Sequence, residues 1–282
     1  SSLKPLTVYG RAFEENLVTL GTIIEDSPVM KYDGSDWPAN ADGKYHGDMS
    51  IYKALTNSYN PPAVRVLKLQ QDNDGTFSTV LNFAKDTLKL SGLQDNDKSG
   101  LAPLSLGALS KGVTVLEMTR AFSVYANKGN FTDSRSYTRV ESYSGKTVLQ
   151  KDVSKQSVYS EQTAYLMTYT LENVVAETYF GRASKVYGVE TAGKTGTTND
   201  SIDAWFAGYQ PSLVAVAWLG FDQPRNMGGR ETGSALALPV WISYMQKALS
   251  GIPVEMKSPP AGVIYENGDY VTELDAATGD GD

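Results

Sequence analysis

Mixed helices and strands, with the strands clustered toward the carboxyl end, is the arrangement the sequence predicts. Three observations carry it. Apolar residues recur at helical spacing in separate stretches: Phe77, Val80, Leu81, Ala84 and Leu88; Met118, Ala121, Phe122 and Tyr125; Ala164, Met167, Leu171 and Val174. Residues 201–208 and 213–220 are instead short apolar runs, rich in aromatic and β-branched side chains and bounded by Gly and Pro, as strands are. Finally, 282 residues of which 41% are apolar suffice for a buried core, in one large domain or two small ones.

In chain order, Ser1-Ser2-Leu3-Lys4-Pro5 opens a segment with helical spacing, although a proline disfavours helical geometry in the residue before it. Residues 33–49 read as loop, with Gly34, Pro38, Gly43 and Gly47 among polar residues, and hold the only histidine, His46. A helix is expected over residues 50–57, stopped by Pro61-Pro62, so that Ser58-Tyr59-Asn60 is a helix-terminating turn. The helix through Met118 carries a capping box, Thr114 with Glu117, and stops at Gly129; capping explains Glu117, which is given no catalytic part. Residues 139–150 alternate around Ser144-Gly145 as a hairpin, and Ser160 caps a long helix. Gly228-Gly229 marks a loop, and Pro239 opens a last helix bearing Trp241, Tyr244 and Met245. Past about residue 250 the composition shifts to Pro, Gly and acidic residues, which predicts a partly ordered tail or linker over 251–282.

Charge and cysteine content exclude several functions. With 25 Lys+Arg against 32 Asp+Glu the net charge is -7, which argues against a nucleic-acid partner. The absence of cysteine rules out disulfides, thiolate nucleophiles and Cys-based zinc sites. No run of about 18 apolar residues and no basic-then-apolar leader is present, so the chain reads as a soluble piece of a longer protein whose anchor or leader lies upstream.

Three short constellations carry chemistry. In Ser1-x-x-Lys4 the two side chains sit three apart, neighbours on a helix at about 5–6 Å between Cβ atoms. At a helix start the serine meets unpaired N–H groups, and a partly buried lysine loses its proton near neutral pH and becomes the base a serine nucleophile needs. Ser58-x-Asn60 offers a hydroxyl that relays a proton and an amide that holds a ligand carbonyl and a lysine together. Lys194-Thr195-Gly196 supplies a fixed cation, a donor and a bare backbone; on an accessible edge strand it would grip a peptide-like anion by strand addition. A Ser-His-Asp triad would have to use His46, on a loop.

Together these three motifs resemble the penicillin-recognising serine acyltransferases, specifically the transpeptidase domain of class A (bifunctional) penicillin-binding proteins. The resemblance runs on through Leu106-Gly107, residues 112–118, Ala192-Gly193, Thr197 and residues 203–208, and spans about residues 1–250, read as the transpeptidase domain. It implies an α+β fold, an antiparallel sheet covered by helices, with the amino-terminal part of the domain missing from this chain. It implies Ser1 as the acylated nucleophile and Lys4 as its base, with Ser58 and Asn60 moving the proton and orienting substrate. Lys194 and Thr195 would hold the substrate carboxylate, Gly196 and Thr197 complete the binding strand, and the N–H groups of Ser1 and Thr197 form the oxyanion hole. The partners implied are D-Ala-D-Ala stem peptides of peptidoglycan as donor, an amine acceptor and β-lactam antibiotics, without metal or organic cofactor. An upstream glycosyltransferase domain, a membrane anchor outside this chain and a place on the extracytoplasmic face of the bacterial membrane follow from the same resemblance.

Three rivals differ in the fate of the acyl group or the identity of the base. A carboxypeptidase or β-lactamase would pass the acyl group to water, and the Glu-x-x-Leu-Asn stretch of a class A β-lactamase is not found between Asn60 and Lys194. A β-lactam sensor would keep all three motifs and acylate once. An N-terminal nucleophile hydrolase would use the α-amine of Ser1 and leave Lys4 unexplained.

Overall fold

The first helix is buried from its first turn. In the computed structural model, which describes residues 2–178, 191–198, 201–228, 231–253, 257–266 and 268–273, Lys4–Tyr9 is wound as a π-helix that runs on into the α-helix Gly10–Glu14. Pro5 sits in the first turn, where its missing N–H has no helical bond to lose, and Lys4 keeps helical geometry despite it. Buried carbonyls here need donors, and distant side chains supply them. Tyr125 donates to Pro5 O at 2.6 Å, Tyr159 to Leu6 O at 2.7 Å and Gln70 Nε2 to Val8 O at 2.8 Å. Two helices, Val115–Ala126 and Asn60–Asp74, and the residue before the N-cap of a third are thereby tied to the segment that carries Lys4.

The sheet behind it has three antiparallel strands in the order Leu213–Leu219, Ala204–Gln210, Ala192–Thr197. Lys194 pairs with Ala207 and Gly196 with Trp205. Since side chains alternate, Ala192, Lys194 and Gly196 share one face with Tyr209, Ala207 and Trp205. That face lies on the larger core, against helices Val115–Ala126 and Glu161–Ala176. The opposite face, with Phe206, packs on Trp241, Leu238 and Met245 of helix Leu238–Ala248. The strand bearing Lys194-Thr195-Gly196 stands at the sheet edge, as its proposed use requires.

Local signals are realised where they are short-range. Thr114 and Glu117 form the capping box, and that helix ends before Gly129, whose φ is +86°. An added Cβ there would lie 1.9 Å from Tyr159 O. Ser160 caps Glu161–Ala176 by accepting from the Thr163 N–H, and Arg139–Glu141 pairs with Thr147–Gln150 as a hairpin. Trp241 and Met245 of the last helix face the core, whereas Tyr244 is exposed.

Two readings are corrected. Pro61-Pro62 do not stop the chain: they fill the first turn of helix Asn60–Asp74, where proline's fixed φ is already helical. The preceding helix, Ile51–Thr56, ends four residues earlier. The stretch 33–49 is not all loop either, because Ser35–Trp37 pairs with Met30–Tyr32 and Gly47–Ser50 pairs with Ile23–Asp26. Past residue 250, Val263–Glu266 and Asp269–Thr272 form a hairpin whose Tyr270 packs on Tyr165 and Tyr169. Among the described residues no helix is long and apolar enough to cross a membrane, and no cluster of His, Cys, Asp and Glu is arranged to hold a metal ion.

Candidate active site

Lys4 is fully buried, and its ammonium group reaches across to the Ser-x-Asn turn. Nζ donates to Ser58 O at 2.7 Å, to Tyr59 O at 2.9 Å and to Asn60 Oδ1 at 2.7 Å. The turn is shaped to present those acceptors. Helix Ile51–Thr56 ends with Asn57, and Ser58 follows in the left-handed region with φ +59°. A non-glycine residue there costs on the order of 1 kcal/mol, and the bond from Lys4 to its carbonyl helps hold it. Asn60 then opens the next helix, so the first and second motifs meet at a helix junction.

Lys194 is likewise fully buried, on the sheet face that looks toward the helix start, and its Nζ donates to Thr195 O at 3.1 Å. Burial disfavours its charge and lowers its pKa to about 7. Lys4 is lowered well below the ordinary lysine value, first by burial and then by the charge of Lys194, with Asp26 pulling in the other direction. Two buried lysines within each other's field cannot both hold a proton cheaply. A neutral Lys4 keeps only two N–H donors for its three acceptors and gains a lone pair, which is what a base requires.

Gly196 brings the third motif to the first. A Cβ on it would lie 2.9 Å from Ser2 Oγ and 3.1 Å from Trp205 Cβ, so the bare backbone lets the helix start come up to the strand. From the other face Gly233 N donates to Thr197 Oγ1 at 3.0 Å. An open groove passes Ser2 and Gly196, walled by Trp205, Trp218 and Phe221. Thr195 and Thr197 are half-buried at the strand edge. Ser1 lies outside the described residues. Lys4, Ser58, Asn60, Lys194, Thr195, Gly196 and Thr197 are otherwise assembled at one place.

His46 borders the Ser-x-Asn turn without being free to serve as a base for a serine. Its Nδ1 is 2.7 Å from Asp26 Oδ2, as in an Asp-His pair, but its Nε2 is 3.1 Å from Asp42 Oδ2 and its ring stacks on Tyr59 at 4.3 Å. Both ring nitrogens face carboxylates, which leaves neither for a serine. Sequence reasoning missed Asp26 and Asn40, which bond to each other and to the turn: Asn40 Nδ2 donates to Asp26 Oδ1 and Oδ2 at 2.9 and 2.8 Å, and Asn60 N donates to Asn40 Oδ1 at 2.7 Å. No spacing rule could find contacts between residues 14 and 20 positions apart that lie at a strand end, in a loop and at a helix start.

Residues 1–237 match the family described as the penicillin binding protein transpeptidase domain. The chain belongs to this family. Among curated proteins it is similar to penicillin-binding protein 1A of Neisseria lactamica, with 34% identity over 282 residues, 96% of this chain and 34% of that protein. It is similar also to penicillin-binding protein 1A of Clostridium botulinum (strain Hall), with 30% identity over 279 residues, 96% of this chain and 32% of that protein. The chain thus spans about a third of the length of the curated relatives it matches. Among solved structures, penicillin-binding protein 1A from Haemophilus influenzae superposes with a TM-score of 0.79 at 24% identity, covering 97% of this chain and 47% of that one. The penicillin-binding protein PonA1 from Mycobacterium tuberculosis gives 0.76 at 25% identity, covering 96% and 73%. The α+β transpeptidase fold expected from the motifs is the fold observed.

Proposed function

We propose that this chain is a serine DD-transpeptidase domain that cross-links peptidoglycan stem peptides through an acyl-enzyme on Ser1. The observation that carries the reading is Lys4: a lysine without solvent, beside a second buried cation, with its Nζ against the Ser-x-Asn turn. Such a lysine is suited to be a base near neutral pH. Neutral Lys4 takes the proton of Ser1 Oγ as that oxygen attacks the carbonyl of the penultimate D-Ala. The oxyanion is held by the N–H groups of Ser1 and Thr197, donors of a kind worth about 2.7–4 kcal/mol each. As the intermediate collapses the C–N bond breaks, and the proton passes from Lys4 by way of the Ser58 hydroxyl to the departing D-Ala amine. An acceptor amine then attacks the ester, loses a proton by the reverse path, and Ser1 Oγ recovers its hydrogen.

Lys194 and Thr195 hold the terminal carboxylate of the donor in this account, with the peptide laid along the Gly196–Thr197 edge. An arriving carboxylate favours the ammonium form of Lys194, and that charge in turn holds Lys4 neutral. Substrate binding thereby readies the base. A β-lactam, which presents a carboxylate and an acyl carbonyl in like positions, acylates the same serine. The scheme uses no metal or organic cofactor. We assign residues 1–250 to the transpeptidase domain and 251–282 to a carboxyl-terminal extension. The resemblance extends this proposal to an upstream glycosyltransferase domain, a membrane anchor and work on the extracytoplasmic face of the membrane, and the greater length of the curated relatives leaves room for both.

The test is the fate of the acyl group. A donor peptide ending in D-Ala-D-Ala is incubated with increasing amine acceptor, and the products are separated by mass. An exchange product that grows with the acceptor while hydrolysis falls supports transpeptidation. Hydrolysed donor alone would make the domain a carboxypeptidase, and an antibiotic turned over rapidly would make it a β-lactamase. A single acylation with no product from any peptide would make it a sensor.

A further inference from the structure

We infer that Asp26 and Asn40, with His46 as their outer clamp, are positioning residues that fix Asn60 Oδ1 against Lys4. The inference rests on the acyl-transfer reading above and adds a second layer to it. Asn60 is gripped from two consecutive residues: its backbone N–H donates to Asn40 Oδ1 at 2.7 Å, and its side-chain Nδ2 donates to Ala39 O at 2.7 Å. With Nδ2 committed to Ala39, the amide has one orientation, and Oδ1 must point to Lys4 Nζ, 2.7 Å away. The bond from Asn60 N is also a helix cap given from a distance, because Tyr59 at the N-cap supplies no side-chain acceptor.

Asn40 is in turn held by Asp26. Its Nδ2 lies 2.9 and 2.8 Å from the two carboxylate oxygens and 2.8 Å from Lys44 O. Asp26 is completely buried, and its remaining capacity is taken by the backbone N–H of His46 at 2.9 Å and by His46 Nδ1. His46 closes the assembly from outside, paired with Asp42 and stacked on Tyr59, the middle residue of the turn. A buried carboxylate is costly, and a fold needs no charge at a strand end. Part of its field falls on Lys4. That lysine donates to three acceptors, Ser58 O, Tyr59 O and Asn60 Oδ1, and two charges act on it in opposite directions: Lys194 lowers its pKa and Asp26 raises it. The base is set between the two.

The experiment is the rate of β-lactam acylation against pH, with melting temperatures, for the protein and its Asp26→Asn and Asn40→Ala variants. Asn40→Ala frees Asn60 and is expected to slow acylation tenfold or more. Asp26→Asn keeps the shape and an acceptor for Asn40 but removes the charge, so the acid limb of the profile should move to lower pH by about half a unit or more. A purely structural role would lower the melting temperature and leave that limb in place. An unmoved limb in Asp26→Asn together with an acylation rate within twofold in Asn40→Ala overturns the inference. Should either variant fail to fold, His46→Ala decides, since its ring is partly exposed. Slower acylation, threefold or more, with a melting temperature within a few degrees is expected, and an unchanged rate overturns the inference. A parent protein that is not acylated at all removes the reading on which it rests, and the inference falls with that reading.

Discussion

Lys4 Nζ donates to Asn60 Oδ1 at 2.7 Å across 56 positions of sequence, in a place closed to solvent at the lysine end. The bond joins the first motif to the second, and Lys194 brings the third within the same field. A residue used in this way is hard to replace. Lys4→Met should slow β-lactam acylation by about 10²–10⁴, the usual range for a lost general base, at every pH between 6 and 10. Stopped-flow or competition labelling across that range measures it. Recovery of the rate at high pH would mean that hydroxide or another group replaces the lysine with ease.

Lys194 should act on the base as well as on the substrate. Its charge lowers the pKa of Lys4, so Lys194→Gln should raise that pKa and move the acid limb of the acylation profile to higher pH. Asp26→Asn should move it the opposite way. Limbs that shift in the same direction in the two variants would contradict the electrostatic account.

The same burial has a stability consequence. Lys194 has a folded pKa of about 7, depressed from the ordinary lysine value of 10.5. The unfolded chain therefore binds more protons between those two values, and stability rises with pH across that window. Below about pH 7 the folded state carries the full cost of a buried ammonium. Lys194→Met should raise stability at pH 6 by on the order of 2 kcal/mol, with a much smaller gain near pH 10, while acylation is lost. Denaturant melts at the two pH values test it, and a gain that is equal at both would show that the charge is not the cause.

Glu117 changes stability with pH in the same direction, but in an acid window and because its charged form is the stabilised one. Desolvation pushes its carboxyl up, but hydrogen bonds from the Ser91 hydroxyl, the Thr114 and Ser91 backbone N–H groups and the Thr114 hydroxyl prevail and bring it to about 2. Its stabilisation is complete above the unfolded value of 4.5 and is lost as pH falls toward 2. Glu117→Gln should cost about 2 kcal/mol at pH 7 and little near pH 2. A pH-independent cost in urea melts would assign the effect to packing.

Gly233 supports the triplet strand from behind. An added Cβ would lie 2.4 Å from Trp205 O and 2.7 Å from Gly196 O, both backbone atoms that cannot swing away. Gly233→Ala should therefore lift the segment Gly233–Ala237 off the sheet, at a cost of about 1–3 kcal/mol, and slow acylation through Gly196. Unchanged stability and rate would mean that the segment is free to move.

What the sequence revealed and what it hid divide by range. The box of Thr114 and Glu117 and the cap at Ser160 are bonds across three residues, and both were legible. Lys4, Asn60 and Lys194 were legible only as a set, because each triplet alone also suits an ordinary helix start, turn or strand end. Pro61-Pro62 misled because proline both ends one helix and begins another, and the choice between them depends on the chain that follows. Asp26 and Asn40 were hidden for a different reason. A buried polar pair divided between a strand end and a loop has no periodicity, and its partners are known only when the fold is.

The central claim is that Ser1 is the nucleophile and Lys4, in its buried place, makes it one. Intact-mass spectrometry after mixing with benzylpenicillin, with Ser1→Ala as control, tests this most directly. The account predicts a stable increase equal to the mass of the whole antibiotic in the parent protein and none in the variant. An adduct of the same mass on Ser1→Ala would contradict it, and so would an antibiotic left intact by the parent.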